Sequence, residues 1–184
     1  MKRLSISPPV AALILAVVLF LLSGLLPNGF GSDLDVARAQ ALNILRLAVF
    51  LGVIAAGQTL VIISGSEGID LSAGSVVTLT AILTYIIVNG VDARVLPAVF
   101  VVLMVGALVG LINGVGITFL KISPFVMTLG MAGVVTGAII VLTHGSVTGK
   151  IAPIMTRLIA RPLSPALQIP NAILIWLLFG VLMW

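Results

Sequence analysis

The chain has 184 residues, 61% of them hydrophobic and only 8% charged, with a net charge of +4 and a mean hydropathy of +1.37. A soluble domain carries about 25% charged residues, so this sequence cannot cover a water-facing globular surface and is read as an integral membrane protein. Nine basic residues scattered without a run exclude a nucleic-acid footprint, and the absence of cysteine excludes a disulfide framework, a thiolate metal site and a cysteine nucleophile.

A spanning helix needs about 20 apolar residues, because a rise of 1.5 Å per residue must cross about 30 Å of hydrocarbon. Unpaired backbone groups cost several kcal/mol there, so spans are helices or closed barrels. The long runs lack the alternation of barrel strands, and the expected fold is an all-α polytopic bundle of about six transmembrane helices in a single domain, 1–184. The first span is expected at 10–26, behind Lys2 and Arg3. Its 17 apolar residues exceed a signal-peptide core, and the small-residue site at Ala37–Ala39 lies far beyond it, so it is read as retained. The second, 47–63, has Arg46 at its start, where the side chain can snorkel. The third covers 71–91, and the fourth, 95–120, stops at Lys121.

The fifth span, 124–143, has strong start signals: Ser123 as N-cap and Pro124 at the first helical position. Residues 145–169 carry Lys150, Arg157, Arg161 and three prolines, and are expected to form an extramembrane loop with one short helix near 154–159. The sixth span, 170–184, is short and still apolar at Trp184, which suggests that the protein continues. Lys2 and Arg3 argue for a cytoplasmic N-terminus, yet alternation from there puts three basic residues inside and six outside, against the positive-inside rule.

Gly106, Gly110 and Gly114 share one face of the fourth span, and Gly133 and Gly137 one face of the fifth. Such small-residue ladders are expected to be helix–helix packing seams. The stretch "GQTLVIISGSEGIDLSAGS", Gly57–Ser75, poses the sharper question, since it places Glu67 and Asp70 among glycines between two apolar runs. A mid-bilayer carboxylate costs at least about 2.5–3.5 kcal/mol, so both acids belong where a helix breaks and its backbone finds other partners. Asp70 is the expected N-cap of the third helix, while Glu67 is less constrained. Gln58 and Asn113 each bring an amide into an apolar span, as interhelical hydrogen-bonding residues or as pathway lining. The candidate residues for the substrate pathway or the helix break are therefore Gln58, Glu67, Asp70 and Asn113.

Catalytic chemistry finds no support. His144, at a helix end, has no second His or Cys with which to bind metal. "GSVTGK", Gly145–Lys150, has three residues between its glycines and Ile151 after the lysine, so it is not a phosphate-binding loop. No cofactor or metal is expected in this chain, and any ATP must be held by another polypeptide.

The blocks Gly57–Ser75 and "GLINGVGITFLKISPFVMTLGM" (Gly110–Met131), followed by a loop and "IPNAILIW", resemble the permeases of ribose-type sugar ABC importers in sequence, order and spacing. "SGSEGIDLS" has extra residues before Gly68 relative to the commoner form, which leaves the substrate subclass open. The resemblance implies a permease in the bacterial inner membrane that pairs with a second permease subunit, identical or related. It further implies cytoplasmic ATPase subunits and an extracytoplasmic solute-binding protein as partners. It places the N-terminus inside and 145–169 outside, against the charge count, and implies a longer protein whose ATPase-docking loop lies in its later half. Gln58, Asp70 and Asn113 fall in the matching blocks as structural or pathway-lining residues. The residues alone also suit an ion-coupled secondary transporter, or a truncated membrane subunit that does not transport.

Overall fold

A computed structural model of the chain describes residues 7–26, 29, 31, 33–65 and 68–159, and singly 171, 173, 177 and 181. Among these residues all regular structure is helical: α1 (Pro8–Ser23), α2 (Leu34–Ser64), α3 (Ala73–Val88), a single 3-10 turn (Asp92–Arg94), α4 (Val95–Thr118), α5 (Pro124–Thr143) and α6 (Pro153–Ile159). The expected all-α membrane fold is therefore present. Three stretches, Leu34–Ser64, Asp92–Thr118 and Pro124–Thr143, are long and apolar enough to cross a membrane. The helices α1 and α3 are apolar but have 16 residues each, about 24 Å of rise. The expected sixth span lies largely outside the described residues, as do Glu67 and the part of the 145–169 loop beyond Ile159.

The start of α2 differs from expectation. Instead of beginning near Leu47, the helix begins at Leu34, because Asp33 Oδ1 accepts the free backbone N–H groups of Asp35 (2.9 Å) and Val36 (3.2 Å). The segment that follows, Leu34–Arg46, is rich in good helix formers, so it is helical although too polar to register as membrane-spanning.

The chain divides into two compact units, Met1–Ala48 and Val49–Trp184. In the first, α1 meets the opening turns of α2, where Gln40 Nε2 donates to Ser23 Oγ (3.3 Å) and Ser23 Oγ donates to the Phe20 carbonyl (2.7 Å). In the second unit, α3, α4 and α5 pack around Leu79, Met131 and Val135. A smaller cluster of Val88, Ala98 and Ala152 holds the segment before α6 against α3 and α4. There Gly90 N donates to the Lys150 carbonyl (2.8 Å) and Ile154 N to Asp92 Oδ1 (2.9 Å).

Two boundaries follow directly from local chemistry. Ser123 Oγ accepts from Val126 N at the start of α5, with Pro124 at the first position, as expected. At its end His144 takes the left-handed conformation (φ 47°) and returns its N–H to the Ile140 carbonyl, followed by Gly145 at φ 76°. His144 is thus a helix terminator.

The glycine ladders do not pack as expected. A methyl group added at Gly106, Gly110, Gly114, Gly133 or Gly137 would meet nothing within 4 Å. No helix among the described residues closes on these faces. The α4 ladder instead leaves room beside the helix break, where Gly110 and Gly114 line one cavity and Gly106 and Gly110 another. The physical reason is that small residues permit close approach without requiring it.

Candidate functional site

Between α2 and α3 the described residues, Gly65 and Gly68–Ser72, lie outside helices, as Asp70 and the glycines of this stretch predict. A break inside an apolar bundle strands backbone N–H and C=O groups, each costing several kcal/mol in hydrocarbon unless it is paired. Here partners come from two helices. Gln58, on α2, donates through Nε2 to the Asp70 carbonyl at 2.7 Å. Thr128, on α5, accepts at Oγ1 from Leu71 N (3.1 Å) and lies 3.3 Å from the Ile69 carbonyl and 2.8 Å from the Pro124 carbonyl. Gly68 N donates to the Gly65 carbonyl at 3.3 Å.

Asp70 does not cap α3 in the expected way. The N-cap is Ser72, and the Asp70 carboxylate folds onto that residue, its Oδ1 accepting from Ser72 N (2.8 Å) and Ser72 Oγ (2.6 Å). This is an Asx turn set two residues ahead of the N-cap: the carboxylate stabilises the approach to α3 rather than its first N–H groups. Asn113, on α4, then donates from Nδ2 to Ser72 Oγ at 3.0 Å. The direction of this chain is fixed, because the single hydroxyl proton of Ser72 is committed to Asp70, so Asn113 must present its amino group. A polar line, Asn113 to Ser72 to Asp70, thus joins residues 41 positions apart.

The line is incomplete at one end. Ser72 is 1% exposed and Asn113 6%, and Asn113 Oδ1 is buried with no partner among the described residues. A buried acceptor left unmet costs about 1–3 kcal/mol, so its presence asks for an explanation. Two cavities, about 650 Å³ and 390 Å³, lie beside it, and both are walled by Val61, Asp70, Gly110 and Asn113. A third, of about 680 Å³, is lined by apolar side chains and glycine of α3, α4, α5 and the loop before α5.

Three of the four sequence candidates are therefore brought together at one place: Gln58, Asp70 and Asn113 line the smaller cavity. Glu67 falls outside the described residues. Sequence reasoning missed Ser72 and Thr128. A lone serine or threonine near a helix start is too common to mark, and their partners are 41 and 57 residues away in the chain. Among the described residues no group of three or more His, Cys, Asp or Glu could hold a metal ion.

Among the described residues the chain is all-helical, and the non-helical residues between α2 and α3 are held by polar side chains of neighbouring helices beside two cavities, a feature also met in membrane transporters. Residues 40–184 match the family described as branched-chain amino acid transport system / permease component, and the chain belongs to this family of ABC importer permeases. It is 35% identical over 132 residues to the ribose import permease protein RbsC of Escherichia coli (strain K12), covering 72% of this chain and 38% of RbsC. It is 42% identical over 87 residues to the inner membrane ABC transporter permease protein YjfF of the same strain, covering 47% of this chain and 26% of YjfF. With the autoinducer 2 import system permease protein LsrD of Escherichia coli O9:H4 (strain HS) it shares 38% identity over 96 residues, 52% of this chain and 28% of LsrD. The chain thus spans well under half the length of the curated relatives it matches. No solved structure gives a significant match.

Proposed function

We propose that the protein is the inner-membrane permease subunit of an ATP-driven importer for a sugar or related small polar solute, its residues forming part of one transmembrane domain. The observation that carries this reading is the polar break at Gly68–Ser72, lying beside two cavities in a chain whose relatives include ribose and autoinducer 2 import permeases. In this reading the protein is not itself an enzyme. ATP is hydrolysed by separate cytoplasmic ATPase subunits, a binding protein delivers solute from outside, and a second permease subunit completes the pathway. The polar groups of the break act by holding an irregular backbone inside the bilayer, where an unbroken helix would leave no polar surface.

The test uses membrane vesicles from cells that express the protein from its natural gene with its ATPase and binding protein. Uptake of radiolabelled D-ribose is measured with ATP present and ion gradients collapsed by ionophores. ATP-dependent uptake that survives the ionophores is the expected result. Uptake abolished by ionophores with ATP intact would instead mark an ion-coupled secondary transporter, and no uptake of ribose or other small sugars would count against the reading.

A further inference from the structure

We infer that the Asp70–Leu71 peptide is a movable partition between the two cavities, latched to α5 by Thr128 and to α2 by Gln58. The inference rests on the geometry of the break and holds whatever drives transport.

Both latches grip one peptide unit. The Asp70 carbonyl accepts from Gln58 Nε2 at 2.7 Å, and Leu71 N, the other half of that unit, donates to Thr128 Oγ1 at 3.1 Å. The carbonyl and the N–H of a trans peptide point in opposite directions, so α2 holds one edge and α5 the other. Among the described residues no other hydrogen bond ties residues 68–72 to α2 or α5, apart from the longer approach of Thr128 to Ile69. Turning the plane strains both bonds together. Losing one bond leaves it held from the far side alone.

The Thr128 latch has a second setting. Its hydroxyl, on a residue 2% exposed, has one proton and two carbonyls near it, Pro124 at 2.8 Å and Ile69 at 3.3 Å. Hydroxyl hydrogen bonds run from about 2.5 to 3.0 Å, so the proton belongs to Pro124 and the Ile69 carbonyl stands just beyond range. That carbonyl has no other partner among the described residues. A shift of the break by a few tenths of an ångström hands the proton from the α5 carbonyl to the carbonyl of the break, one hydrogen bond replacing another. Two arrangements so matched, separated by so small a displacement, are what a movable element requires.

Each latch stands at a different cavity. Thr128, Pro124 and Ile69 line the cavity of about 650 Å³ and not its neighbour. Gln58 lines the cavity of about 390 Å³ and not the larger one, while Asp70 stands in both walls. Release of Thr128 therefore lets the peptide swing toward α2 and widens the larger cavity. Release of Gln58 lets it swing toward α5 and widens the smaller.

Two reporters on α4 read the cavities separately. Gly114 lines only the larger and Gly106 only the smaller, and a Cβ added at either meets nothing within 4 Å. Each is changed to cysteine, one at a time, in the whole protein with any other cysteine replaced. The rate of labelling by a water-soluble, charged methanethiosulfonate is then measured in membranes. Thr128→Val keeps the shape of the side chain and removes the hydroxyl. It is expected to speed labelling of Gly114→Cys about fivefold, the worth of one hydrogen bond, and to leave Gly106→Cys unchanged. Gln58→Met, similar in length but without the donor, should give the mirror image. Thr128→Ser, which keeps the hydroxyl, should label like the parent.

Equal acceleration of both reporters in either variant would reveal a general loosening of the bundle and overturn the partition. No change at either reporter would overturn it as well. So would a Thr128→Ser variant that labels like Thr128→Val, since the hydroxyl would then be irrelevant. Should Thr128→Val fail to insert, the mirrored pattern of Gln58→Met decides alone. Failure of both to insert would make the two ties fixed supports of the fold, and the latch would be wrong.

Discussion

Asp70→Ala is expected to destabilise the protein by about 3–5 kcal/mol, because two charge-assisted hydrogen bonds are worth about 1.5–3 kcal/mol each and their loss strands buried donors. The donors are the backbone N–H and hydroxyl of Ser72, a residue only 1% exposed, in contact with Asp70 Oδ1 at 2.8 and 2.6 Å. Freed from Asp70, the Ser72 hydroxyl no longer has a fixed proton direction, so Asn113 also loses its defined orientation. Asp70→Asn retains an oxygen at the same place and should cost only about 1 kcal/mol, the worth of a neutral hydrogen bond against a charged one. Unfolding in detergent, measured on both variants, checks the order. If the alanine and asparagine variants both unfold and transport like the parent, Asp70 does not hold the break together.

The second large effect is expected at Gly68. A Cβ there would drive into the Val61 carbonyl and stand 3.2 Å from Ile62 Cα, so the obstacle is the backbone of the last turns of α2. No side-chain rotation relieves such a clash. Gly68→Ala should cost about 3 kcal/mol, at the upper end of ordinary overpacking, and displace the break from Thr128 and Gln58. Gly74→Ala supplies the control, since its added methyl meets nothing within 4 Å and it lies in the first turn of α3, where alanine is the better helix former. Thermal unfolding of the two variants in the same detergent should separate them widely. Equal midpoints would show that the close approach of Gly68 to α2 is absent.

These expectations bear on what the sequence could reveal. The limits of α5 were legible because Ser123 and Pro124 are local signals whose partners lie within one turn. The early start of α2 was not, because hydropathy measures suitability for lipid, whereas Asp33 and the alanines after it stabilise a helix in any solvent. The existence of the break was legible from Asp70 and its glycines, since few other structures tolerate them in an apolar run. Its wiring was not: Thr128 reaches Leu71 from 57 residues away, and Asn113 reaches Ser72 from 41. Only folding brings those pairs together. The glycine ladders mark faces where close approach is possible, and spacing alone does not say whether another helix or a cavity takes that space.

The polar break within a membrane-embedded bundle is tested most directly by a single-cysteine scan from Leu51 to Leu83 in membranes holding the whole protein with any other cysteine replaced, read with a water-soluble thiol reagent. The positions through Ser64, and again from Ala73, should alternate between labelled and protected with a helical period of about 3.6 residues. From Gly65 to Ser72 that period should vanish, with labelling at the positions beside Asp70. An unbroken helical period through the whole scan would contradict it.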